Sequence, residues 1–246
     1  MSCKLFITFF VAISFFCLNG LQLEAAQATA PIYVEAPSIP SEQVTYLDLT
    51  YVHGGDFILG KTFDEEELTQ KILSHPNLVE LNLSGQFISP YLMSIIHDNL
   101  SQLKKLTITG SVRFNDGDGL FYSWESINQQ IVSEEMLRAL FFNDSPIEIL
   151  DLSLTTIDDK GLMQISQSAY NLREIYLTGA SGITDMGIIS LVDKLPNLKV
   201  IDLSSYTLRQ PMKDHEIIAP QISKKLIKTL SGRGVIVIKN NRTPWF

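Results

Sequence analysis

The stretch that decides the fold is Asn171–Ser204, NLREIYLTGASGITDMGIISLVDKLPNLKVIDLS. It holds two starts of one pattern, Leu172-x-x-Ile175-x-Leu177 and Leu198-x-x-Ile201-x-Leu203, 26 residues apart. In each start the last two apolar residues are two positions apart. They share one face of a strand, and residues 174, 176 and 178 face the other way. The β-branched Ile175 suits such a strand. Between the two starts Thr184 can cap a helix, with Asp185 in its first turn, and Ile188-Ile189 and Leu191-Val192 supply its apolar stripe. Leu195-Pro196 stops the helix and opens the next turn.

The same spacing runs outward in both directions. It recurs at Val44-x-x-Leu47-x-Leu49, Leu78-x-x-Leu81-x-Leu83, Leu103-x-x-Leu106-x-Ile108 and Ile147-x-x-Leu150-x-Leu152, with Val235-x-x-Ile238 as a degenerate last copy. The starts lie 34, 25, 44, 25, 26 and 37 residues apart. Ser89-Pro90 reads as a cap followed by proline at the first helical position, and Ser133 and Asp158 can cap two further helices. One such unit cannot bury its apolar face alone. Stacked units share a continuous core, and the terminal copies become atypical caps.

A period of 25–26 residues with this spacing resembles a leucine-rich repeat protein, closest to the ribonuclease-inhibitor-like, cysteine-containing class also found behind F-boxes. Ile183-Thr184-Asp185 followed by Gly187-Ile188, and Ile157-Asp158-Asp159 followed by Gly161-Leu162, match that class. Ala180 and Thr155 stand where it often has cysteine. The resemblance implies an α/β solenoid of about six to seven repeats over residues 44–240, curved, with parallel strands on the concave face and helices on the convex one. Residues 241–246 read as a C-terminal tail. Relatives in fold bind other proteins, and the resemblance implies the same here.

The N-terminus reads as an address. Leu5–Leu18 is a charge-free, mostly apolar run of 14 residues behind Lys4, short for a membrane span and suited to a signal-peptide core. Ala26-x-Ala28 places cleavage before Thr29, which predicts a secreted or periplasmic protein with no membrane span after cleavage. Residues 29–43, with Pro31, Pro37 and Pro40, read as an extended linker. Cleavage would remove Cys3 and Cys17, the only cysteines, so the mature chain has no thiol for a disulfide, a zinc site or a nucleophile.

Composition narrows function further. Nineteen basic residues against 27 acidic give a net charge of −8, which disfavours nucleic acid. No His-Glu-x-x-His, phosphate-binding glycine loop or G-x-S-x-G occurs, and Asn115–Gly119 lacks oxygen ligands at the later positions of a calcium loop. No catalytic, cofactor or metal residues are assigned. Two surfaces can bind a partner. The concave columns carry Asp48, Glu80, Asn82, Asp151, Glu174, Tyr176 and Asp202, an acidic face suited to a basic protein. Three insertions, around 51–61, 111–130 and 205–220, follow strands and emerge on one rim. The second holds Phe114, Phe121, Tyr122 and Trp124 as aromatic anchors. A third column, Thr50, Ser84, Thr109, Ser153, Thr178 and Ser204, reads as hydroxyls that bond the turns.

The favoured reading is an exported, monomeric protein-recognition module. The sequons Asn82-Leu83-Ser84 and Asn99-Leu100-Ser101 would put a glycan on the concave strand in a eukaryotic secretory route, which favours a bacterial secreted or host-interacting factor. The alternatives are an F-box-like adaptor for ubiquitin ligation, for which only 15 residues lie between Ala28 and Val44, and a non-thiol enzyme built on the rim loops.

Overall fold

The computed structural model describes the backbone of residues 43–54, 57–116, 123–208 and 216–242. Within them, side chains are described outside 52–59, 111–128, 208 and 216. The segment predicted as a signal peptide, most of the predicted linker and both cysteines lie outside these residues.

Strands of three residues alternate with helices. In chain order they are β1 (Tyr46–Asp48), β2 (Val52–Gly54), β3 (Phe57–Leu59), α1 (Glu65–Leu73), β4 (Glu80–Asn82), α2 (Pro90–Asn99) and β5 (Lys105–Thr107). Then come β6 (Ser111–Asp116), β7 (Ser123–Asn128), α3 (Glu134–Leu140), β8 (Ile149–Asp151), α4 (Asp159–Ser168), β9 (Glu174–Tyr176) and α5 (Asp185–Lys194). The last are β10 (Val200–Asp202), β11 (Ser205–Leu208), β12 (Glu216–Ile218), α6 (Lys224–Gly232), β13 (Ile236–Ile238) and β14 (Asn241–Arg242). Seven strands form one all-parallel sheet in the order β1-β4-β5-β8-β9-β10-β13. This is a leucine-rich-repeat-like solenoid, as the spacing predicts.

The register follows the sequence alignment through six copies: Leu47, Leu81, Leu106, Leu150, Ile175 and Ile201 stand side by side. The seventh corrects it. Ile201 pairs with Val237, and Ile238 pairs with Asp202, so the last copy is one residue shorter than Val235-x-x-Ile238 implies. The core lies between the sheet and the helices. Leu81, Leu106, Leu150, Ile175 and Ile201 are sealed from solvent, as are Leu83, Ile108, Leu152, Leu177 and Leu203. One apolar cluster runs from Leu49 to Val235.

Helix starts obey local chemistry. Ser89, Ser133, Asp158 and Thr184 accept the amides of Leu92, Met136, Gly161 and Met186, as the sequence predicts. Asp64 and Ser223 do the same for α1 and α6, Asp64 as half of a capping box with Glu67. The first-turn carboxylate of one helix also accepts the cap hydroxyl of the next. Thr184 Oγ1 donates to Asp159 at 2.5 Å, Ser223 Oγ to Asp185 at 2.5 Å, and Ser89 Oγ to Glu65. Gly187 permits this approach, because a Cβ there would stand 2.4 Å from Asp159 Oδ1 and 2.9 Å from Leu162 Cδ1.

All three insertions are antiparallel ribbons: β2 with β3, β6 with β7, and β11 with β12. Each leaves the C-terminal end of a parallel strand, so all three emerge at one edge of the sheet. β2 lies against β6. The tail adds to the third ribbon, since β14 pairs in parallel with β11.

Candidate recognition surface on the sheet face

Because position two of each strand points into the core, positions one and three point away from it. Pairing brings the predicted columns together. One reads Tyr46, Glu80, Lys105, Ile149, Glu174, Val200 and Ile236, and the other Asp48, Asn82, Thr107, Asp151, Tyr176, Asp202 and Ile238.

The second column first holds the chain together. Asp48, Asn82, Asp151 and Asp202 each turn one side-chain oxygen back to the amide two residues on. It accepts from Thr50, Ser84, Ser153 and Ser204 at 3.0, 3.0, 2.9 and 2.9 Å. These residues fix the exit from the strand, the side-chain turn that Asp and Asn favour. The hydroxyl column joins in: Thr50 Oγ1 donates to Asp48 at 2.5 Å, Ser84 Oγ to Asn82 at 2.6 Å, and Thr109 Oγ1 to Ser84 at 2.9 Å. In the sequon at 82–84 the serine hydroxyl is therefore spent on the asparagine itself.

Charge on this face is less one-sided than the sequence suggests. Asp202 is fully buried rather than open, and Arg242, 40 residues later in the chain, meets it at 2.5 Å. Glu80 pairs with Lys105 across adjacent strands at 3.2 Å. Asp151, between β5 and β9, is pushed above the usual carboxylate range. Burial is the main cause, opposed by the Ser153 hydrogen bonds and by Arg242.

Two tyrosine–carboxylate pairs stand on this face, Tyr46 with Asp48 exposed and Tyr176 with Glu174 half-buried. Tyr46 Oη donates to Asp48 Oδ2 at 2.9 Å, and Tyr176 Oη donates to Glu174 Oε2 at 2.7 Å. The Glu174 bond, then burial, pushes the Tyr176 phenol up to about 12. Tyr46 is raised too, first by its bond to Asp48. Burial acts to raise Asp48, but bonds from the Thr50 hydroxyl and amide and from Tyr46 outweigh it and hold the carboxyl low. Each pair offers an oriented anion beside an aromatic ring, a chemistry suited to a lysine or arginine side chain. Tyr46 and Lys105 fall in the aligned column of first strand positions, which is the signal that places them. Arg242 has no such signal, because its contact with Asp202 spans 40 positions.

Of the rim residues, Phe114 and Trp124 lie in β6 and β7, opposite Glu125 and Asn115 in register, and their side chains fall outside the description. Phe121 and Tyr122 lie outside the described residues, as do 117–119 of the Asn115–Gly119 turn. Among the described residues no three His, Cys, Asp or Glu side chains come together as metal ligands, and no helix is long and apolar enough to cross a membrane.

No family model and no curated protein sequence matches the chain. Among solved structures it is similar to a chain in the crystal structure of the Rad7 and Elc1 complex in yeast, with 17% sequence identity and a TM-score of 0.37. The match covers 71% of this chain and 46% of that one, so this chain spans less than half of that chain's length.

Proposed function

We propose that this chain is an exported protein-recognition module that binds basic side chains of a protein partner through the outer face of its parallel sheet, with no catalytic step of its own. The observation that carries this reading is the paired arrangement Tyr46–Asp48 and Glu174–Tyr176 on the outward positions of β1 and β9. A Lys or Arg of the partner gains a charge-assisted bond from the carboxylate and a cation–π contact from the ring. The tyrosine hydroxyls hold the carboxylates in place beforehand, so less ordering is needed on binding. The rim ribbons would add contact area at one edge of the same sheet. An F-box-like adaptor role has no comparable feature on this face.

The test uses the full chain immobilised beside a variant carrying Tyr46→Ala, Glu174→Arg and Tyr176→Ala. All three residues are at least partly exposed, and the fold should persist. Proteins held by the parent and lost from the variant, with faster dissociation in salt, support the reading. A retained set that the triple change leaves untouched places recognition on the rim ribbons and overturns it. Export is tested separately by N-terminal sequencing of protein from medium or envelope. A start at or near Thr29 is expected, and a soluble pool that keeps Met1 sinks that part.

A further inference from the structure

Helices α1 to α5 pack in succession, each on the next, whereas α6 packs on β13 and is bonded to α5 at its two ends, Ser223 to Asp185 and Arg233 to Asp193, with a gap between. The gap is a groove of about 280 Å³. Ile189, Val192, Leu226 and Leu230 line it, and Lys225 and Arg233 stand at its wall. Ile189 is 42% exposed there.

Charge is segregated to the same place. The last 30 residues hold Lys224, Lys225, Lys228, Arg233, Lys239 and Arg242 and no acid, while the other 216 carry 13 basic and 27 acidic residues. Arg233 and Arg242 are taken by Asp193 and Asp202. Lys224, Lys225 and Lys228 are exposed, and no acidic side chain among the described residues pairs with them. Lys224 and Lys225 occupy the first turn of α6, the end where the helix dipole repels cations. Of the five preceding helices only α4 has a lysine in the first two positions after its cap, Lys160, and there Asp159 precedes it; α6 alone opens on two cations with no acid in its first turn. Helix stability gives no reason for cations here, and a local choice that opposes the fold points to function. The two carboxylates at the groove are already engaged: Asp185 accepts the amide and hydroxyl of Ser223, and Asp193 is bound by Arg233.

We propose that the α5–α6 groove and the lysine ridge of α6 form a second docking surface, on the helix side, for an acidic polypeptide segment that carries an apolar anchor. The anchor enters between Ile189 and Leu226, and flanking carboxylates meet Lys225 at the groove wall and reach Lys228 one turn on along α6. Apolar burial supplies the lasting affinity, and charge supplies rate and selectivity.

Three labelled peptides of equal length test this by fluorescence anisotropy on the full chain: Glu-Glu-Leu-Phe repeated, all-Glu, and Lys-Lys-Leu-Phe repeated. Only the first should bind measurably at physiological salt. Its affinity should fall at least about tenfold in Lys225→Glu with Lys228→Glu, both exposed positions where charge reversal leaves the fold intact. Hydrogen exchange on the unmodified chain, with and without the peptide, should show new protection in α5 and α6. All-Glu binding as tightly, an undiminished double variant, or protection confined to the sheet overturns the proposal. So does tighter binding of a short single-stranded DNA or of phosphatidylglycerol vesicles, which would make the ridge a general anion surface.

Discussion

At Asp151 a single oxygen does structural work that a charge does not need to do. Its Oδ1 accepts the Ser153 amide, as Asn82 Oδ1 accepts the Ser84 amide in the same column two repeats earlier. Burial raises the Asp151 carboxyl, so folding favours its protonated form. A group raised on folding contributes stability that is complete below its unfolded pKa and is lost as pH rises through the folded one. Stability should therefore decline from the ordinary carboxylate range upward through the raised value. Asp151→Asn keeps the acceptor and removes the charge. It should melt at or above the parent at neutral pH, lose that advantage under acid conditions, and show a flatter dependence between. A melting series over pH reads this out, and a variant that melts lower at neutral pH would show that attraction to Arg242 outweighs burial. Asp202 is sealed from solvent and paired with Arg242. Arg242→Ala strips the partner from a sealed carboxylate and should cost roughly 1–3 kcal/mol in equilibrium unfolding, the scale of a buried polar group left unsatisfied.

At the scale of elements, the strands and four of the six caps were legible because they depend on neighbours within a few residues. Leu-x-x-Leu-x-Leu names its own buried face, and Thr184, Ser89, Ser133 and Asp158 name their own helix starts. What joins one element to the next was not legible. Asp159 sits in a first turn where the dipole alone explains it, yet it also binds Thr184, 25 residues on, through both the hydroxyl and the amide. The insertions were placed on the correct side of the strands, but their pairing into ribbons was not seen. SVRFND alternates polar and apolar residues as far as Asn115, but SWESIN breaks the alternation at Ser126, so no matching partner strand shows in the pattern. Gly187 marks the joint most sharply. Ala there pushes a methyl against Asp159 and Leu162 of the preceding helix. Overpacking of this kind costs about 1–3 kcal/mol, so Gly187→Ala should lower the unfolding midpoint, although alanine is the better helix former. Asp159→Ala, which also gives up the Thr184 bonds, should cost less in the Gly187→Ala background than in the parent, because it removes the atom that is struck. Equal costs in the two backgrounds would mean that Leu162 takes the clash.

Across the whole molecule the sheet and its single core were legible, because a repeated spacing fixes register without any long-range knowledge. The last copy escaped by one residue, since an edge strand has a neighbour on one side only and tolerates a shortened turn. The face chemistry escaped for another reason: ion pairs such as Asp202 with Arg242 are decided by where a tail returns, and no local pattern encodes that. The stacked core gives the molecule its cooperativity. Leu177 is sealed from solvent, and the backbone beside it bonds to Asp202 of the next copy, so β9 and β10 share one interior. In such a stack stability is close to a sum over units and their interfaces, and damage to an inner unit weakens both of its interfaces. Leu177→Asp places an unpaired carboxylate in that interior, at a cost of several kcal/mol against a total stability of roughly 5–15 kcal/mol. Hydrogen exchange should then show loss of protection in β8, β9 and β10 together, with a lower unfolding midpoint. Ile236→Asp is the matched control, because Ile236 lies on the edge strand with its side chain mostly in water. It should shift stability by no more than about 0.5 kcal/mol, the range of ordinary surface changes. If Leu177→Asp costs under about 1 kcal/mol, or if only β9 loses protection, the repeats fold independently and the continuous core is not what holds them.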